Sequence, residues 1–335
     1  MNDKCLLKVE GLRVEIKTQA GVVKAVDGAS LEIKENEIVG LVGESGCGKS
    51  MLALSIMRLL PEPYAKIVNG SILFDGVDLV KLKEDEMRKF RGRKISIIFQ
   101  DPTSALNPIM KVGDQIVEAA TAHGTVDRRQ AWSMMLDVLK KVGIPRPEVV
   151  AQLYPFNLSG GMRQRVMIAM AMISNPKLLI ADEPTTNLDV SIQAQILEIL
   201  KEIKEKSKMS ILLITHNLGL VAWLCDRVYV MYAGKILEAA STAELFDKPL
   251  HPYTELLLKA VPRTDSRTEQ LATIEGEIPS LINPPPGCRF HPRCPYVMDV
   301  CKEVLPAEIH VGEKHFSRCL RHDLNYAHLW NSEDA

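Results

Sequence analysis

The segment Gly43 to Ser50, reading GESGCGKS, constrains this chain more than any other. It follows the apolar run IVGLV and precedes SMLALSIMRLL, whose helical character stops at Pro61. Strand, glycine loop and helix in that order are the setting in which G-x-x-x-x-G-K-[ST] binds phosphate. Gly43, Gly46 and Gly48 let the backbone curl so that successive N–H groups aim at phosphate oxygens. The next helix adds its positive end. Lys49 is then placed for the β- and γ-phosphates and the Ser50 hydroxyl for Mg²⁺, with Glu44, Ser45 and Cys47 completing the loop. A glycine turn carrying a chance lysine is the plain alternative, and the flanking strand and helix count against it.

Other segments extend this into an α/β fold. LLKVEGLRVEI and GASLEIKENEIVGLVG alternate apolar and polar residues, as strands do. KISIIFQ (94–100), KLLIADE (177–183), SILLIT (210–215) and RVYVMY (227–232) are continuously apolar, as expected of central strands covered on both faces. Between Gln100 and Asn175 the spacing is helical with almost no strand signal, which predicts an all-helical insertion over about 101–175.

Chemistry-bearing residues stand at the ends of these runs. Asp182, closing an apolar strand, suits support of Mg²⁺, and Glu183 is then placed to orient or deprotonate an attacking water. An acidic pair before Pro184 is also a natural helix N-cap, and the phosphate loop upstream favours catalysis. Gln100 and His216 each follow a buried strand, where ligands of open α/β sheets bind. Alone either would be structural; on strands flanking one site they read as γ-phosphate sensors, with Gln100 also a Mg²⁺ ligand.

A net charge of −1 gives no reason to expect nucleic acid as a partner. No apolar run approaches the roughly 18–20 residues that cross a bilayer. The start, MNDKCLLKVEGLRVEIK, is charged throughout and is not a signal peptide, so a cytosolic chain is expected unless something carries it to a membrane. Residues 277–295 hold six of the 19 prolines, marking an appendage short on core that needs a staple. Cys288, Cys294, Cys301 and Cys319 offer one. Their spacing, C-x5-C-x6-C-x17-C, fits neither zinc knuckles nor ferredoxin runs. Four sulfurs suit Zn²⁺ or an iron–sulfur cluster, and a cytosolic setting disfavours disulfides.

With GESGCGKS, Gln100, LSGGMRQR (158–165), LLIADEPT, NLD (187–189) and His216 in this order, the chain resembles ABC (ATP-binding cassette) ATPase subunits. The resemblance implies a RecA-like P-loop core over residues 1–260, with an N-terminal antiparallel β subdomain and the helical insertion. A small irregular, cysteine-ligated domain over 261–335 would follow. Ser159, Gly160 and Gly161 would contact ATP held by a second subunit in a head-to-tail pair, with Asp189 at the interface. A Ser-Gly-Gly helix start is indeed an anion site, although a capped helix alone has the same look. Two departures stand out. Met162 replaces the glutamine of many members, and no aromatic residue precedes Pro63 to stack on adenine, leaving Ile16 or Val23 for an apolar surface. Limited discrimination between ATP and other nucleoside triphosphates is therefore expected.

FDKPLHPYTELLLKAVP (246–262) and GCRFHPRCPYVMDVC (287–301), with SALNP (104–108), resemble oligopeptide/dipeptide importer ATPases, a group that also serves nickel and related solutes. This implies ATP- and Mg²⁺-driven import, with two non-identical ATPase subunits beneath two membrane-spanning permease subunits. An external binding protein would feed them, and the ATPases would lie peripherally on the cytoplasmic face. Residues near Gln100 and the helical insertion would receive the membrane subunits' coupling helices. The cysteine pattern implies a [4Fe–4S] cluster, with Zn²⁺ as alternative, acting as a structural clamp. His291, His310, His315 and His322 are substitute ligands on paper and surface residues otherwise. A soluble, non-transport ABC ATPase is the rival, but those working on nucleic acid usually carry two cassettes or strong basic regions, and neither is present.

Overall fold

The computed structural model describes residues 4–186, 188–261, 274–312 and 314–330. The chain divides into two compact units. Of the described residues, one unit comprises those of 81–214 with short pieces at 4–6 and 33–38; the other comprises 7–32, 39–80 and those from 215 onward.

In the first unit, Ile95–Ile98, Leu178–Asp182 and Ser210–Thr215 lie parallel, with Ile95 opposite Leu178 and Leu178 opposite Ser210. The latter two strands are buried at every position, which is why their sequences are unbroken apolar runs. From 102 to 172 the chain forms helices only, the longest being Val112–Thr121, Arg128–Lys141 and Gly160–Met172, which pack on one another. Each start that matters is capped locally. Asp127 accepts from the Gln130 N–H and Ser159 from the Met162 N–H, satisfying donors that the helix itself leaves open. The helix Val190–Ser207 buries Ile196, Leu197, Leu200 and Ile203, one stripe of an amphipathic surface, and ends at Lys208 in the left-handed region.

In the second unit, Cys5–Thr18 pairs antiparallel with Ala65–Phe74, from Leu7 opposite Phe74 to Ile16 opposite Ala65. These strands sit in a four-stranded sheet with Gly21–Lys34 and the short Val77–Asp78. The strand Ile38–Val42 runs parallel to Arg227–Tyr232, which turns back antiparallel into Lys235–Ser241. The tail then adds Phe316–Ser317 beside Glu238 and Ala239, with Ile309–His310 outside it. The appendage is thus joined to a sheet as well as being proline-rich. Among the described residues, no helix is long and apolar enough to cross a membrane.

Candidate functional site

The phosphate loop leaves the buried strand Ile38–Val42 and enters the helix Lys49–Met57. Gly43 has φ +151° and Gly48 φ +112°, and a Cβ on either would come within 2.0 Å of the Met231 carbonyl oxygen or 2.2 Å of that of Ala25. Only glycine fits two such backbone approaches. Lys49, 5% exposed, donates through Nζ to the carbonyls of Gly43 at 2.7 Å and Glu44 at 2.9 Å. The ammonium therefore sits inside the curl of the loop. Ser45 and Gly46 are exposed at its rim, and Ser50 is half-buried at the helix start. The Gly234 N–H braces the loop from behind on the Cys47 carbonyl at 2.9 Å.

Glu44 is held from the tail. Arg293 grips its carboxylate with both arms of the guanidinium, Nη1 to Oε2 at 2.7 Å and Nη2 to Oε1 at 3.0 Å. The Glu44 backbone N–H donates to the Tyr253 hydroxyl at 3.0 Å. Hydrogen bonding to Glu44 raises the Arg293 pKa above even the ordinary guanidinium value, and burial raises that of the Tyr253 hydroxyl. Tyr232, Tyr253 and Phe290 pack ring against ring beneath this contact, with centroids 4.6 to 5.3 Å apart. Sequence reading placed Glu44 in the loop but missed Arg293 and Tyr253; the only local signal was their place in the two tail segments.

The first unit carries the acidic pair. Gln100 Nε2 donates to Glu183 Oε2 at 3.0 Å, and the Thr186 hydroxyl donates to the same oxygen at 2.9 Å. Glu183 has φ +45°, uncommon for a residue with a Cβ, and its N–H donates to the Ile214 carbonyl at 2.9 Å. Asp182 is buried in the strand's last position. The pair does not act as a simple helix cap. His216 belongs to the second unit and is exposed, just past Ser210–Thr215.

Ser159, Gly160 and Gly161 open onto a cleft of ≈ 480 Å³ whose walls include Arg165, Asp189 and Gln195. Arg165 donates to Gln195 Oε1 at 2.7 Å and to the Val142 carbonyl, which fixes the cleft's basic wall. Gly161 lets the helix Gly160–Met172 approach Ile192, whose Cγ2 a Cβ would meet at 2.9 Å. Asp189 is exposed at the start of Val190–Ser207, and Asn187 of the same triplet lies outside the described residues. Ile16 and Val23 are half-buried, and the tail reaches this strand, where the Lys24 N–H donates to the Leu281 carbonyl at 2.9 Å.

Cys288, Cys294, Cys301 and Cys319 line one small cavity with His251 and Phe290, and none forms a disulfide. Burial pushes the Cys288 and Cys319 thiols up to about 12 and that of Cys294 to about 11. The cysteine ligation expected from the sequence is not shown. Among the described residues, no group of three or more His, Cys, Asp or Glu converges closely enough to hold a metal ion. The four thiols share one cavity. One of the four histidines differs from expectation: His315 is buried and bonded to Glu238 at 2.7 Å, whereas His310 is exposed.

Residues 26–186 match the family model described as ABC transporter, and 237–301 match that described as oligopeptide/dipeptide transporter, C-terminal region. A dipeptide transport ATP-binding protein of Bacillus subtilis is 49% identical, the match covering 98% of each chain. An oligopeptide transport ATP-binding protein of the same organism is 48% identical, over 88% of this chain and 90% of its own. Among solved structures, the dimeric ATP-binding cassette MJ0796 bound to ADP and Pi aligns with a TM-score of 0.64 at 26% identity, over 70% of this chain and 98% of that one. A Clostridium perfringens subunit of an ABC transporter complex aligns at 0.62 and 29% identity, over 73% and 92%.

Proposed function

This chain belongs to the ABC transporter family of ATP-binding subunits, and from that premise we propose that it hydrolyses ATP to power import of di- or oligopeptides. The near-complete alignment with a dipeptide transport ATP-binding protein carries the peptide assignment. The Gln100–Glu183 hydrogen bond carries the hydrolytic one.

In this reading the loop Gly43–Ser50 cradles the phosphates with its N–H groups, and Lys49 exchanges its loop carbonyls for phosphate oxygens. Ser50, Gln100 and Asp182 would hold Mg²⁺, which would neutralise charge on the β- and γ-phosphates. Glu183 accepts a hydrogen bond from the attacking water and aims it in line with the γ-phosphorus, while His216 contacts the γ-phosphate. The cleft at Ser159–Gly161 receives the ATP of a second subunit on the open N–H groups of a helix start. Asp189, exposed beside it, lies at that interface. ATP binding closes the pair, and hydrolysis with product release reopens it. Two membrane-spanning permease subunits convert this into transport, and an external binding protein delivers the peptide. The chain therefore works peripherally, on the cytoplasmic face, paired with a non-identical ATPase subunit, or with a second copy of itself when alone.

The tail thiols are proposed to hold a [4Fe–4S] cluster, with Zn²⁺ as the alternative. Four cysteines around a common cavity fit a [4Fe–4S] cluster, which would clamp a proline-rich segment short of core. A brown protein absorbing near 400 nm and bleached by dithionite is the expected result; a colourless protein with one zinc sinks it.

The transport assignment is tested by disrupting the gene for this chain and following uptake of a labelled dipeptide and of nickel. Loss of dipeptide uptake, restored by the wild-type chain but not by Glu183→Gln, is expected. Intact peptide uptake with lost nickel uptake would move the cargo to the metal.

A further inference from the structure

We infer that Arg293, carried by the cysteine-bearing tail, is a positioning residue of the phosphate loop: by gripping Glu44 it fixes the peptide that seats Lys49 and neutralises a carboxylate that would otherwise repel ATP. The inference rests on the reading of Gly43–Ser50 as the ATP loop.

The contact is built, not incidental. The Arg293 side chain is 5% exposed, and all five N–H groups of its fork are used. Two go to the Glu44 carboxylate, Nε donates to the Glu275 carbonyl at 2.8 Å, Nη2 to that of Ile274 at 3.1 Å, and Nη1 to the Tyr232 hydroxyl at 3.4 Å. The planar guanidinium is thus locked, and it locks Glu44 in turn. Glu44 is held at its N–H by Tyr253, and its carbonyl accepts from Lys49 Nζ and from the Cys47 N–H. One residue therefore connects the tail to the lysine that meets the phosphates.

The electrostatics point the same way. A carboxylate on a loop that must take a triphosphate opposes binding, and partial burial strengthens that opposition. Arg293 cancels it at hydrogen-bond range. Arg293 also precedes Cys294 in the chain, so whatever orders the four cysteines orders the grip on Glu44. The tail becomes part of the nucleotide site in cis.

The test is titration of the purified full-length chain with a fluorescent ATP analogue, with KM and kcat for ATP measured alongside. Arg293→Ala should bind nucleotide about tenfold more weakly, one charge-assisted pair being lost, with KM moving more than kcat. Adding Glu44→Gln to Arg293→Ala should recover most of that loss, because no carboxylate then needs neutralising. A merely structural arginine would not show this recovery. Wild-type affinity in Arg293→Ala, or a double variant as weak as the single one, overturns the inference. If Arg293→Ala does not fold, Arg293→Lys carries the test. It keeps the charge without the fork and should bind about threefold more weakly than wild type, with equal binding overturning the inference. Failure of the wild-type chain to bind the analogue would instead sink the ATP reading of the loop.

Discussion

Gln100 Nε2 and Glu183 Oε2 are joined by a 3.0 Å hydrogen bond, although 83 residues separate them in the chain. The same oxygen accepts from the Thr186 hydroxyl, so one carboxylate oxygen is saturated by the protein. The carboxylate is thereby held as an oriented acceptor at the end of a buried strand, on a backbone in the left-handed region. That is what aiming a water molecule requires.

Glu183→Gln keeps the side chain's size and removes its basicity. Steady-state ATP turnover should fall at least about 100-fold, while ATP still binds. Size-exclusion chromatography with ATP and Mg²⁺ should then show a trapped dimer. Unaltered turnover would refute the role given to Glu183.

The cleft at Ser159–Gly161 serves a partner's nucleotide in this mechanism, and the phosphate loop serves the chain's own. Ser159→Arg fills the cleft's mouth and should remove ATP-dependent pairing and turnover. Binding of a fluorescent ATP analogue to the single chain should be unchanged. Turnover surviving in Ser159→Arg would mean that the cleft takes no nucleotide. Ser159→Ala, which deletes only the cap to the Met162 N–H, should cost about 1 kcal/mol of stability.

No aromatic side chain precedes Pro63, and Ile16 and Val23 offer a half-buried aliphatic surface. Aliphatic contact does not distinguish one purine from another as hydrogen bonds to base edges do. Turnover of GTP should therefore match that of ATP to within about threefold, about 0.6 kcal/mol. A strong preference for ATP would show that another part of the chain reads the base.

Glu238 is fully buried, and burial alone would raise its pKa. Hydrogen bonds from His315 and from the N–H groups of Leu250 and His251 outweigh that and hold it below its ordinary 4.5. Its folded pKa is therefore the lower one. The stability it contributes is present above pH 4.5 and is lost as pH falls below that through the folded value. Thermal melting between pH 7 and pH 3 should show this acid limb. Glu238→Gln should flatten it and, at neutral pH, lower stability by about 1–3 kcal/mol. An acid limb unchanged in Glu238→Gln would assign it to other groups.

The strands and the loop were legible because their causes are local. Residues Leu178–Asp182 and Ser210–Thr215 are buried on both faces, so every position is apolar and the run itself announces the strand. Gly43 and Gly48 are glycines because backbone oxygens lie where their Cβ atoms would be. Ser159 caps a helix three residues ahead of itself. Such constraints leave a mark within a few neighbouring positions. His315 left no such mark. Its partner Glu238 lies 77 residues away on the strand Lys235–Ser241, and in sequence His315 looks like any surface histidine.

By itself, then, the sequence determined the phosphate loop, the buried strands, the helical stretch and the order of the ATPase motifs. Only the tertiary structure decided that Glu44 belongs as much to the tail as to the loop, because Arg293 lies 249 residues further on. An ion pair at that separation depends on where two distant segments dock, which no local pattern of residues encodes. The same holds for the four thiols: their spacing says that they are four, and only the packing around Phe290 brings them to one cavity.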